Sequence, residues 1–161
     1  MTLFSFILFS RVINGAHGSS ATVFSLADEE VYWSVRCISD LMVVPGLIGL
    51  DFDDIRTVLE LPGKATWGRG VSEGGNRVVD AAEAAVSAAK FSNVRLKEAK
   101  GVLMNVTGGP DMTLYEVDAA AHRIRKKVGA DANIVFGSTF DAAMGNRILV
   151  SLVATGIRAY A

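Results

Sequence analysis

The chain has 161 residues, of which 50% are hydrophobic, and this is enough for one domain with a buried core. Sixteen basic and seventeen acidic residues leave a net charge of −1. Bulk charge therefore gives no reason to expect a nucleic acid or an anionic membrane as the partner. The single cysteine, Cys37, cannot form an internal disulfide, so we expect a buried, reduced thiol in a cytosolic protein.

The first 23 residues receive no assignment to an element. Their distinctive feature is the apolar run LFSFILF at residues 3–9, which is shorter than the roughly 20 residues that span a bilayer. No positive side chain precedes the run, as a secretory signal requires. We interpret it as a strand remnant or a frayed end, without direct membrane insertion. Weak attachment to a membrane surface is the alternative.

A long amphipathic helix is predicted over residues 24–44. Apolar residues recur along it at spacings of three or four, as on the buried face of a helix. They are Val31, Val35, Ile38 and Met42. Pro45-Gly46 ends this helix, because proline restricts the residue before it and glycine tolerates the following turn. A second, short helix is predicted to start near Asp51 and to stop at Pro62-Gly63.

From residue 64 the patterns predict further strands and helices. Strands are expected over 64–71, 101–106, 133–139 and 147–155, and helices over 76–90 and 113–128. One loop with Gly145-Asn146 joins the last two strands, which favours a hairpin-like or neighbouring pair. We therefore predict an α/β (α+β, two-layer) domain over residues 45–161, with helices covering a mixed sheet of about four strands.

The two later helices carry different signals. The helix over 76–90 is rich in alanine, and its narrow apolar stripe favours close packing on a sheet. That stripe comprises Val79, Ala82 and Val86. The last helix begins with a capping box formed by Thr113 and Glu116. Its apolar stripe is expected to comprise Leu114, Val117, Ala121, Ile124 and Val128.

Gly68-Arg69-Gly70 and the following Gly74-Gly75 admit two interpretations. A dinucleotide-type phosphate loop needs a preceding apolar strand and a different glycine spacing. A strand whose backbone closely approaches a neighbouring element explains the first two glycines better. His17 and His122 have no ligand-type residues at suitable spacing, so no metal site is predicted.

Three carboxylates, on Asp51, Asp53 and Asp54, crowd the start of the second helix. Acidic residues there complement the unpaired amides and the positive end of the helix dipole, which explains one or two of them. Asp51 and Asp54 lie three residues apart and share a helix face, where like charges repel unless a cation or a polar group arrives. Such a pair can orient a water or help to arrange a metal ion beside a phosphate.

Five segments, in this order, resemble the FtsZ family, the bacterial tubulin homologues of cell division, and most of all its alphaproteobacterial branch. They are ISDLMVVPGLIGLDFDDIRTVL (38–59), GRGVSEGGNR (68–77), GVLMNVTGG (101–109), DANIVFGSTFDAAM (131–144) and SLVATGI (151–157). The resemblance implies that family's C-terminal, chorismate-mutase-like domain, preceded by its long central helix. Nothing in the chain resembles the family's glycine-rich GGGTGTG run, so we expect no GTP binding by the chain alone.

The resemblance also implies roles for particular residues. The loop that ends at Asp54 is the one that the family inserts against the nucleotide of a neighbouring subunit. Asp51 and Asp54 would be the catalytic pair that positions the attacking water. Phe24 and Asp28 match positions that contact the guanine base. GTP or GDP would be held mainly by the partner subunit, with Mg²⁺ beside the nucleotide.

Two positions depart from the family's pattern in this loop. Gly49 stands where the family has an asparagine, and its loss removes a polar contact to the neighbour's nucleotide. Asp53 stands where the family has a small residue, and it adds negative charge where phosphates approach. Both departures argue against full activity.

The first hypothesis is therefore a truncated or split FtsZ-type cell division protein. It would act in a homo- or hetero-polymer of FtsZ subunits, in the cytoplasm at the division site, and would complete a GTPase site only in trans. The alternative is a non-catalytic interaction or regulatory module that modulates FtsZ polymerisation. An independent small-molecule enzyme has little support, because the sequence shows no acid, base or nucleophile arranged for it.

Overall fold

The computed structural model of the protein describes residues 36–90 and 96–158. The segment 1–23, most of the predicted first helix, and the candidate residues Phe24 and Asp28 lie outside the described residues. Within the described part of the chain, no helix is long and apolar enough to cross a bilayer.

Four α-helices and four strands follow one another in the described part of the chain. Residues 36–43 are helical and are called α1. The other elements are α2 (Phe52–Leu59), β1 (Lys64–Ser72), α3 (Arg77–Lys90), β2 (Gly101–Gly108), α4 (Leu114–Arg125), β3 (Asn133–Phe140) and β4 (Ile148–Ile157). The strands form one mixed sheet in the order β1-β4-β2-β3, with β2 parallel to β3 and β4 antiparallel to both its neighbours. The prediction of a mixed four-stranded sheet covered by helices is confirmed.

The predicted pairing of the last two strands is wrong, because β3 and β4 are not neighbours. β4 lies between β1 and β2 and is buried at all but one of its positions, whereas β3 pairs only with β2 and forms an edge. A strand that is apolar on both faces gains most from a central position, where both faces are covered. A short loop does not require its two strands to be neighbours: here it crosses the end of β2, which lies between β3 and β4.

Helices cover both faces of this sheet. The larger core contains Val102, Met104, Leu152 and Ala154 on one face, packed under α3 and α4. Neighbouring residues on the strands point to the other face, because side chains alternate along a strand. There the smaller core joins α1 and α2 to the sheet through Ile38, Leu41, Ile55, Val58, Leu103 and Val153.

Two residues of the predicted apolar stripes are exposed. Met42 is 44% exposed, whereas Leu41 is 4% exposed and takes the buried place beside Ile38. Leu114 is 56% exposed, since it lies in the first turn of α4, before the helix reaches the core at Val117. The predicted capping box of α4 is confirmed, with Thr113 and Glu116 bonded in both directions.

Gly68 and Gly70 allow α3 to lie directly on β1. A Cβ on Gly68 would lie 2.1 Å from the carbonyl oxygen of Ala85, and one on Gly70 would lie 2.4 Å from that of Ala81. Alanines on the helix and glycines on the strand therefore form one close contact, as the sequence predicted. Gly74, at the turn into α3, has a φ of +95°, which favours glycine.

Arg77, at the start of α3, donates hydrogen bonds to α4, to the segment before α4 and to the loop before β4. Its Nε and Nη2 donate to the two carboxylate oxygens of Glu116 at 2.7 and 2.9 Å. Its Nη1 donates at 2.8 Å to Oδ2 of Asp111 and also to the Asn146 carbonyl oxygen. These hydrogen bonds from Arg77 lower the pKa of the Glu116 carboxyl, whose backbone and hydroxyl contacts with Thr113 act in the same direction.

We expect Gly68→Ala to lower the free energy of unfolding by about 1–3 kcal/mol, because the added methyl group collides with the backbone of α3. Gly75→Ala is the matched control, since a Cβ there meets no atom within 4 Å. Urea unfolding measures both. Equal effects of the two substitutions would contradict the packing interpretation.

We expect Arg77→Met to destabilise the domain by about 3 kcal/mol at neutral pH, because Glu116 then remains partly buried without its cation. The pKa of Glu116 is lowered in the folded state, so its contribution is present above pH 4.5 and is lost as pH falls through the lowered value. The variant should therefore lose less stability on acidification than the parent. Arg56→Met, which removes the exposed pair with Glu60, should leave this pH dependence unchanged.

Candidate functional site

Residues 45–54, which join α1 to α2 and include the first three residues of α2, are called the acidic loop. It follows the outer edge of β3 and is bonded to it through the backbone. The Phe140 amide donates to the Pro45 carbonyl oxygen, and the Ser138 amide donates to that of Ile48, both at 2.9 Å. The Ile48 amide donates to the Ser138 hydroxyl, also at 2.9 Å. The loop thus occupies part of a strand edge that would otherwise expose unpaired groups.

The side chains of the acidic loop reach both faces of the sheet. Ile48 packs against the larger core, and Leu50, two residues on, packs against the smaller core. Gly137 of β3 lies close beneath them, since a Cβ there would be 2.7 Å from Leu41 and 3.3 Å from Leu50. The loop is therefore wrapped over the edge of the sheet and fixed immediately before Asp51.

Asp51 begins α2 as its N-cap residue. Its extended backbone (φ −73°, ψ 147°) places its carbonyl oxygen to accept from the amides of Asp54 at 3.1 Å and Ile55 at 3.3 Å. Its carboxylate makes no capping hydrogen bond to α2. Asp51 therefore forms the first backbone hydrogen bonds of α2 without capping the helix through its side chain, and its carboxylate belongs to an exposed residue.

Two of the three carboxylates lie together in the structure. Asp51 and Asp54 line one open groove, whose other wall is formed by the end of α1 and the start of the acidic loop. Asp53 is exposed but does not line this groove, and its carbonyl oxygen accepts from the Thr57 hydroxyl at 2.8 Å. The N-cap residue Asp51 and Asp54 in the first turn of α2 thus line the same groove, while the catalytic role of the pair stays a prediction.

Gly49 is exposed, and a Cβ added to it meets no atom within 4 Å. Packing therefore does not require glycine here, in contrast to Gly46, where a Cβ would lie 1.9 Å from the Ser138 carbonyl oxygen. A larger side chain at position 49 would project into open space beside the groove.

Exposed apolar residues lie at the start of the acidic loop and at the adjoining end of the sheet. Val43 and Leu47 are 75% and 41% exposed at the end of α1 and in the loop. Gly108 pairs with Phe140, so the end of β2 lies beside the start of the loop. The chain then leads into α4, whose first residues are Leu114 and Tyr115. Tyr115 is 81% exposed. Periodicity could not reveal this surface, because Leu114 was assigned to the buried stripe.

A second cavity, of about 170 Å³, lies between α1 and the sheet. Cys37, Arg69, Asn105 and Ser151 are among its lining residues. Burial raises the pKa of the Cys37 thiol to about 12, so the thiol stays protonated and is a poor nucleophile near neutral pH. The predicted burial of Cys37 is confirmed, and its chemistry gives no support to an independent enzyme.

The comparisons with known sequences agree with this structure. The C-terminal domain of the FtsZ family matches residues 63–158. Proteins named cell division protein FtsZ are 55% identical in Magnetospirillum gryphiswaldense and 53% identical in Wolbachia pipientis, each over 137 residues and 85% of this chain. The matches cover 24% and 44% of those proteins, so the chain spans less than half of their length.

Solved structures share the fold. An empty FtsZ dimer from M. jannaschii is 30% identical and superposes with a TM-score of 0.77, covering 88% of this chain and 41% of that one. A CetZ2 from Haloferax volcanii, 15% identical, has the same fold with a TM-score of 0.63 over 89% of this chain and 43% of that one. The chain therefore belongs to the FtsZ family and carries the C-terminal domain of that family.

Proposed function

We propose that the chain forms one face of a subunit in a tubulin-like polymer and completes the GTPase site of a neighbouring FtsZ subunit. The observation that supports this most is the pair of exposed carboxylates, Asp51 and Asp54, on a loop fixed to the sheet edge. A carboxylate pair held at the tip of a helix suits the charge and geometry needed to orient a water beside a phosphate.

In this proposal the neighbour holds the nucleotide, as GTP before hydrolysis and GDP after it, and Mg²⁺ beside it would supply positive charge to the phosphates. Asp51 and Asp54 accept hydrogen bonds from one water and direct its lone pair toward the terminal phosphate. Phe24 and Asp28, which match positions near the guanine base, remain candidates for contacts with the nucleotide. The chain alone would then hydrolyse no GTP.

Exposed apolar groups at the start of the acidic loop and at the adjoining end of the sheet support a protein partner. Val43, Leu47, Leu114 and Tyr115 are exposed residues near the acidic loop or at the adjoining end of the sheet. Burying them against an FtsZ subunit removes apolar surface from water, which favours association. We place this assembly in the cytoplasm at the division site, where the family's polymer acts.

A non-catalytic, regulatory module is the second candidate, and two residues favour it. Gly49 offers no polar group toward a neighbour's nucleotide, and Asp53 adds an exposed negative charge beside the pair. Such a chain would still bind one end of an FtsZ filament and limit its growth, with no contribution to hydrolysis.

The two candidates are separated with a full-length FtsZ in which alanine replaces the aspartates aligned with Asp51 and Asp54. That partner keeps its nucleotide site but lacks its own acidic pair, so hydrolysis on mixing depends on this chain. We expect added chain to restore GTP turnover, and Asp51→Asn or Asp54→Asn to reduce it about 100-fold. Shortened filaments without restored turnover would support the regulatory module instead.

Asp53→Asn is the matched control, because it removes a carboxylate of the same helix turn that does not line the groove. We expect it to retain or raise the restored turnover, because it removes a negative charge near the place where the phosphates would approach. An equal loss in all three variants would contradict a specific role for the pair.

We expect Gly49→Asn to raise the restored turnover, because it returns an amide to the loop at a position with open space. Gly49→Ala fills the same space without the amide and should leave turnover unchanged. Thermal unfolding should show that both variants fold as the parent does. A fall in turnover with Gly49→Asn would contradict the interpretation that glycine at position 49, where the family has asparagine, weakens hydrolysis.

A further inference from the structure

Ser138, on β3, holds the acidic loop through both its backbone and its side chain. Its amide donates to the Ile48 carbonyl oxygen, and its hydroxyl accepts from the Ile48 amide, both at 2.9 Å. One residue thus pairs both backbone groups of Ile48. Ser138 is 2% exposed, so loss of its hydroxyl would leave the Ile48 amide without this acceptor in a place that water reaches poorly.

Gly46 forms the second part of the same contact. A Cβ on Gly46 would lie 1.9 Å from the Ser138 carbonyl oxygen, so only glycine permits this approach of the two backbones. We call Gly46, Ile48 and Ser138 together the edge clamp. It joins a loop to a strand that is about 90 residues away in sequence.

The edge clamp lies directly before the acidic pair. Ile48 is the last residue of the loop on the larger core, and Asp51 follows it by three positions. Leu50 anchors the chain on the opposite face, while Gly49 between them is exposed. The direction in which the chain enters α2, and with it the placement of both carboxylates, therefore depends on how firmly Ile48 is held.

We propose that Ser138 is a positioning residue for Asp51 and Asp54. It lies behind the loop and holds Ile48, so that the carboxylates keep one orientation toward the groove. Its effect on hydrolysis rests on the proposed function, but its effect on the loop is a property of the chain alone.

Amide hydrogen exchange on the full chain tests the effect on the loop. In Ser138→Ala we expect the Ile48 amide to exchange at least about tenfold faster than in the parent, which corresponds to about 1.4 kcal/mol. The Leu103 amide of β2 serves as the reference that corrects for a change in global stability. Ser138→Thr keeps the hydroxyl and should restore slow exchange. Ser151→Ala removes another buried serine of the same sheet, which contacts Cys37, and should not affect Ile48.

Gly46→Ala provides a second test through a different atom. The added methyl group should force the loop from β3, and the Ile48 and Phe140 amides should both exchange faster. Gly49→Ala, where the same methyl group meets open space, should leave both unchanged. Unchanged exchange at Ile48 in Ser138→Ala, or an equal change in Ser151→Ala, would overturn the proposal.

The hydrolysis assay then separates this proposal from the proposed function. The partner is again the FtsZ that lacks its own acidic pair. Ser138→Ala should lower its GTP turnover about tenfold when the chain is saturating, while the chain concentration that gives half of the maximal turnover stays unchanged. Ser138→Thr should recover the turnover. Full turnover in Ser138→Ala despite fast exchange would show that Ser138 does not position the pair. If the parent chain restores no turnover, the proposed function fails, while the exchange result still decides whether Ser138 orders the loop.

Discussion

The backbone contact between the acidic loop and the outer edge of β3 is the constraint on which the candidate site depends. An edge strand exposes amides and carbonyls that can pair with another chain, and proteins cover or interrupt such edges. Here the cover is the segment that carries the candidate catalytic pair, joined through Pro45, Ile48 and their partners on β3. The same backbone hydrogen bonds therefore cover the edge of the sheet and place the carboxylates.

The rest of the fold fixes the two ends of this contact. β3 is held by its parallel pairing with β2, and β2 lies beside the buried central strand β4. On the other side, the smaller core holds α1 and α2, so the loop between them has little freedom at either end. The close packing of α3 on β1 and the Arg77 hydrogen bonds stabilise the opposite face.

Local patterns were enough to predict most elements, because their determinants lie within a few residues. The capping box of α4, the glycines of β1 and the acidic start of α2 each follow from neighbouring side chains. Strand order could not be read in the same way, because the position of β4 depends on contacts between residues 40 or more positions apart in the chain. The exposure of Met42 and Leu114 has a related cause, since a stripe of apolar spacing does not show where the core ends.

The acidic pair was predicted from charge crowding and from the family resemblance, whereas Ser138 was not. A serine in a short apolar strand carries no signal of its own. Its importance comes from the long-range contact with Ile48, which periodicity and spacing cannot show. Gly46 and Gly49 illustrate the same limit: two glycines of one loop are equivalent in sequence, yet only the first is required by packing.

The proposed function requires the acidic loop to face a nucleotide held by a neighbouring FtsZ subunit. The most direct measurement is paramagnetic broadening of the chain's amide resonances by a slowly hydrolysed GTP analogue with Mn²⁺, bound to an FtsZ partner. We predict the strongest broadening for residues 49–54, weaker broadening for β1 at the opposite edge of the sheet, and no effect when the partner is omitted. Broadening centred on another surface, or equal broadening without the partner, would contradict it.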